Sequence, residues 1–164
     1  MDLNVYSYSA GLRGRLKVFV VSVGFSATVL YRIQHSLYKK KLLIPAYAFH
    51  RLNLVLFGVD ILPGAQIGGG FRMEHPVGVV IGAGAVIGEY CVIQQGVTVG
   101  ARRIKENKGN QFPVIGSYVE IGTKASILGP ISIGNNTIIG AHSLVLESFP
   151  ENSLLVGTPA KCIK

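Results

Sequence analysis

The chain has 164 residues, 49% of them hydrophobic, with no tryptophan and two cysteines, and 16 Lys and Arg against 8 Asp and Glu give a net charge of +8. That length suits one globular unit, or a solenoid with a small appended element, with a real core in either case. Two cysteines exclude a disulfide framework, and the positive charge comes without a nucleic-acid-binding motif, so phospholipid, a polyphosphorylated cofactor or an acidic glycan are better anionic partners than nucleic acid.

Residues 1–59 predict a short α-helical region. Two apolar segments, Leu16 to Leu37 and Leu42 to Gly58, are separated by the basic run Lys39, Lys40, Lys41. Pro45 stands near the start of the second, where its missing N–H costs little. Within the first, Val18 to Tyr31 is apolar but falls short of the roughly 18–20 residues a bilayer crossing needs, and no small-residue cleavage site follows. It reads as a buried or surface-lying helix, and its basic flanks Arg13, Arg15, Lys17 and Arg32 suit a membrane surface. A reducing cytoplasm, at the inner face of the membrane if lipid is touched, is the expected location.

From Asp60 to about Phe149 large aliphatic residues recur every sixth position: Ile61, Ile67, Met73, then Ile81, Ile87, Ile93, Val99, then Ile115, Ile121, Ile127, Ile133, Ile139 and Val145. Four positions after many of them stands a small or β-branched residue, such as Ala65, Ala85, Cys91, Val97, Val119, Ala125, Thr137 or Ser143. Neither the 3.6 period of a helix nor the 2 of a strand gives such a pattern. A six-residue repeat describes a solenoid of short strands and turns with the aliphatic residues inside a narrow prism. Residues 150–164 read as a turn and a short tail.

The repeat breaks twice. From Met73 to Ile81 the spacing is eight, and from Val99 to Ile115 it is sixteen, which leaves a protruding loop at residues 101–113. Insertions at solenoid corners are where function gathers, and both breaks carry polar residues.

The segments VDILPGAQIG, EHPVGVVIG, VTVG, PVIGSYVEIGTKASILGPISIGNNTIIGAHSLVL and VGTPAK resemble the hexapeptide-repeat acyltransferases, in particular the serine acetyltransferase and colanic-acid-type polysaccharide O-acetyltransferase group. The resemblance covers about the last 105 residues. It implies a left-handed parallel β-helix, against the usual right-handed crossover, assembled as a homotrimer with active sites between neighbouring subunits and acetyl-CoA as acyl donor.

His75, at the first break, aligns with the family's catalytic histidine. Moving an acyl group from a thioester to a hydroxyl needs a base near neutrality, which imidazole supplies. Asp60, fifteen residues earlier, stands where the resemblance implies an aspartate that orients the histidine, and a capping role at the solenoid's start is its alternative. Glu74 stands where an acidic residue touches the acceptor. At the second break the serine enzymes carry an Arg-His pair before the proline, and this chain has Gln111 and Phe112 before Pro113. Losing a guanidinium fork weakens carboxylate recognition, whereas a ring beside an amide suits a sugar, unless Phe112 plugs the base of the loop. For acetyl-CoA the resemblance implies Gly100 with Ala101, Gly122 with Thr123, Gly140 with Ala141, and the tail from Gly157 to Lys161. Lys161, Arg102, Arg103, Lys105 and Lys108 are candidates for phosphates.

The leading expectation is an O-acetyltransferase acting on a sugar hydroxyl of a capsular polysaccharide or exopolysaccharide, or its precursor. The short N-terminal region also resembles the polysaccharide-modifying members, since the serine enzymes carry a much longer helical domain. A serine O-acetyltransferase of cysteine biosynthesis is the alternative, and a non-catalytic trimeric scaffold stands third. A zinc enzyme on the same fold would need three converging histidines, and the solenoid has only His75 and His142, so no metal is expected.

Overall fold

The computed structural model describes residues 21–102 and 111–164. Arg13, Arg15 and Lys17, and the loop residues Arg103, Lys105 and Lys108, lie outside the described residues.

Helix α1 (Val23–Lys39) starts at Ser22, whose hydroxyl accepts the Phe25 N–H at 3.3 Å, the usual N-cap arrangement. Of its buried residues, Gly24, Ala27, Thr28, Tyr31 and Gln34 recur at helical spacing along one face, and Phe25 and Ser26 of the first turn are buried beside them. Gly24 is required there, because a Cβ would lie 2.0 Å from the Met73 carbonyl oxygen. Helix α2 (Leu43–Phe57) ends at Gly58, which takes the left-handed conformation at φ 65° and donates its N–H to Leu54, a cap that glycine adopts without a Cβ penalty. Asn53 of α2 reaches the Ala27 carbonyl of α1 at 3.0 Å. Among the described residues no helix is long and apolar enough to cross a membrane.

The rest winds as a three-sided prism, a left-handed parallel β-helix. β1 (Asp60–Ile61), β4 (Val80–Ile81), β7 (Thr98–Gly100), β10 (Ser126–Leu128) and β13 (Leu144–Val145) form the first sheet. β2 (Gln66–Ile67), β5 (Val86–Ile87), β8 (Val114–Ile115) and β11 (Ser132–Ile133) form the second. β3 (Arg72–Met73), β6 (Val92–Ile93), β9 (Glu120–Ile121) and β12 (Ile138–Ile139) run through the third, which β14 (Leu154–Gly157) and β15 (Ala160–Cys162) extend. In-register pairs stack Ile61 on Ile81 on Val99 on Ile127 on Val145, so each hexad column is one edge of the core. Every hexad aliphatic from Ile61 to Val145 is buried, none more than 8% exposed, and the small residues between them are buried as well. A β-branched residue suits such a site because its side chain packs stiffly on the pleat.

The two ends of the prism are closed differently. Carbonyls of the first coil with no coil beneath them accept from α1: Tyr31 donates to Ala65 at 2.8 Å, Gln34 to Ile61, and Arg32 to Ile67 and Gly68, while the His35 ring meets Pro63 at 2.9 Å. At the far end, residues 150–164 form more than a turn and a tail. β14 pairs in parallel with β12, Leu155 opposite Ile139, and β15 folds back antiparallel on β14.

Candidate active site

The prism has three corners, and the predicted site residues occupy two of them. The corner between the third and first sheets holds Glu74 and His75 on the first coil, Gly122 and Thr123 two coils further on, and Gly140 and Ala141 on the next. They form one column along the axis. Gly122 permits the tight stacking, since a Cβ on it would lie 2.7 Å from the Ala141 nitrogen. The tail reaches the same corner: Thr158 donates its hydroxyl to the His142 carbonyl at 3.1 Å, and Lys161, exposed, pairs with Val156 across the closing hairpin.

His75 lies in the eight-residue break, exposed, with φ 51°. Left-handed φ values at Tyr90, Tyr118, Lys124, Asn136 and His142 show that this conformation belongs to the corner turns in general. It is therefore not strain particular to one site. The His75 ring has no hydrogen-bond partner among the described residues.

The carboxylate expected to orient it is held by another residue. Asp60 Oδ1 lies 2.8 Å from Nε2 of His50 on α2, with 12% of the His50 side chain and 40% of that of Asp60 exposed. Within this chain the structure thus shows an Asp60–His50 pair where the resemblance implied Asp60 and His75. His50 was missed because it lies outside the repeat. The available signal was the series Ala46, His50, Asn53, Phe57, a helical stripe through an otherwise apolar segment, and Ala46 and Asn53 of that stripe are buried. Glu74 makes an ion pair with Arg72, Nη2 to Oε1 at 3.1 Å, both side chains about one-third exposed or more.

Gly100, Ala101 and Arg102 lie at the base of the protruding loop, on the corner between the first and second sheets. The Arg102 Cβ lies 3.3 Å from where a Cβ on Gly129 would stand, one coil beyond. A single chain does not bring these residues to the His75 corner. Gln111 and Phe112 close the same loop, both half-buried. The Phe112 ring lies flat against the turn at Gly82 and Gly84, where added Cβ atoms would lie 2.3 and 2.4 Å from ring carbons. It packs on that corner turn. Among the described residues no three His, Cys, Asp or Glu side chains converge on a metal position.

A family model described as bacterial transferase hexapeptide (six repeats) matches residues 112–147. A serine acetyltransferase of Helicobacter pylori is 37% identical over 151 residues, which are 92% of this chain and 87% of that relative. The chain belongs to the serine acetyltransferase family of hexapeptide-repeat acyltransferases. A serine acetyltransferase of Synechococcus elongatus is 38% identical over 97% of this chain and 64% of the relative. Among solved structures, the Neisseria gonorrhoeae serine acetyltransferase superposes with a TM-score of 0.89 at 37% identity, covering 99% of this chain and 62% of that one. The chain thus spans somewhat under two-thirds of the length of several family members that it matches from end to end.

These relatives overturn the expectation of a glycan acceptor and of a place in polysaccharide biosynthesis. That expectation rested on the short helical region and on Gln111 and Phe112. The Helicobacter pylori protein, nearly all of whose length is matched, shows that a serine acetyltransferase need not carry a much longer helical domain. Phe112 packs its ring on Gly82 and Gly84.

Proposed function

We propose that the protein is a serine O-acetyltransferase that moves acetyl from acetyl-CoA to the hydroxyl of L-serine. The observation that carries this is the match to the Helicobacter pylori serine acetyltransferase, which runs through nearly the whole of both chains. His75 acts as general base. It takes the serine hydroxyl proton as the oxygen attacks the thioester carbonyl, and it returns that proton to the CoA sulfur as the carbon–sulfur bond breaks. Direct attack needs both substrates held together, with proximity supplying much of the acceleration.

The corner column above His75, with Gly122, Thr123, Gly140, Ala141 and Lys161, suits an extended pantetheine arm, because backbone amides are open where side chains are small. Thr123 already uses its hydroxyl, which donates to Gln94 Oε1 at 2.9 Å while its N–H donates to the same oxygen at 3.0 Å. Gly100, Ala101 and Arg102 join that column only from a neighbouring subunit, so a homotrimer is part of the proposal. Gln111 and Phe112 supply no cation, so another basic group holds the serine carboxylate.

The test is release of CoA thiol from acetyl-CoA with L-serine, with capsular oligosaccharides as comparison. His75→Ala should lower kcat by about 10²–10⁴-fold, the usual contribution of a positioned base. Absence of His75-dependent release with serine would overturn the proposal.

A further inference from the structure

Resting on that proposed acyl transfer, we infer that His50 is a positioning residue of the site: it holds the Asp60 carboxylate by one oxygen and so directs the other toward the corner that carries His75. Asp60 opens the first sheet directly after the αL cap at Gly58. This strand start is tied to the loop of His75 by two backbone bonds, Gly78 N–H to Gly58 at 2.8 Å and Asp60 N–H to Val79 at 2.9 Å. The backbone of Asp60 therefore stands beside the loop of His75, at the mouth of the first break.

His50 stands on α2, outside the solenoid. Its ring lies nearly buried on α2, edge-on to Tyr47 at 89° with centroids 6.0 Å apart, and Nε2 is 2.8 Å from Asp60 Oδ1. No second side chain bonds Asp60 among the described residues. A carboxylate fixed at one oxygen loses its rotation about χ2, so the direction of the second oxygen is set. A carboxylate so fixed can hold a second imidazole in one tautomer and orientation. With 12% of the His50 side chain and 40% of that of Asp60 exposed, loss of packing and loss of orientation are separate effects, and the test reads them separately.

The test compares His50→Ala, His50→Gln and Asp60→Asn with the unaltered protein in kcat, in KM for acetyl-CoA, in Tm and in the ¹⁵N spectrum of the histidine rings. His50→Ala should lower kcat by about 10-fold or more, as loss of an outer partner of a functional group does. KM should hold, and His75 should pass from one tautomer to a mixture. His50→Gln, whose amide N–H can still donate to Asp60, should recover most of the rate and the single tautomer. The inference is overturned if His50→Ala leaves the His75 tautomer unchanged, or if its only effect is a lower Tm. The ring spectrum needs no acyl transfer, so an unaltered protein inert toward serine would sink the proposed function while the tautomers still decide the role of His50.

Discussion

At Phe112 a single side chain decides between two uses of the same loop. Because its ring packs on Gly82 and Gly84, we expect Phe112→Ala to destabilise the fold by about 1–2 kcal/mol, below the ~1.5–3 kcal/mol of a fully buried side chain. Urea unfolding should show this, with KM for the acceptor nearly unchanged; a ring that bound acceptor would do the reverse. Cys91 gives a second test. Its thiol is buried and donates to the Gly116 carbonyl at 3.1 Å, and burial holds its pKa above the ordinary value. The folded state thus disfavours the thiolate. This contribution is fully present below the unfolded thiol's pKa, about 8.5, and is lost as pH rises toward the folded value. We expect stability to fall on the alkaline side, and Cys91→Ala to flatten that fall in urea titrations at increasing pH. The inward place of Cys91 was legible from its position in the repeat. The partner of Asp60 was not, because it lies on a helix ten residues back, and only the packing of that helix against the first coil brings the two together.

The elements show the same division. Each two- or three-residue strand was legible because one residue in six must enter the prism, and a slip of one position would turn a whole column outward. The closing hairpin was hidden. The last turn takes sixteen residues from Ile139 to its partner Leu155, where complete coils without insertion take eighteen, as from Ile121 to Ile139. Leu155 consequently fell out of the count. The role of α1 was hidden too, since Tyr31, Gln34 and His35 act through backbone carbonyls that carry no sequence signal. Tyr31→Phe keeps the ring and removes the donor to Ala65. An unpaired buried carbonyl costs about 1–3 kcal/mol, and we expect a loss of that size in urea unfolding, with the coil intact by circular dichroism.

For the whole molecule, the distribution of site residues over two corners is the larger consequence. His75, Thr123 and Ala141 share one corner while Gly100, Ala101 and Arg102 share another, so a complete acetyl-CoA site on the proposed reading draws on two copies. We expect light scattering to report a trimer. Refolding His75→Ala together with Arg102→Glu, each impaired alone, should regain activity, because some interfaces then receive an intact corner from each parent. Separately refolded and then mixed proteins should not regain it so long as the trimers do not exchange subunits. The sealed base of the prism bears on a different property. Three sheet edges ending on one plane would present an open template to the next copy, and the solenoid would grow end to end into a fibre. Side chains of α1 occupy carbonyls along two of those edges, and at the other end β15 reverses direction against β14 and covers the third sheet, so part of each end is closed to such growth.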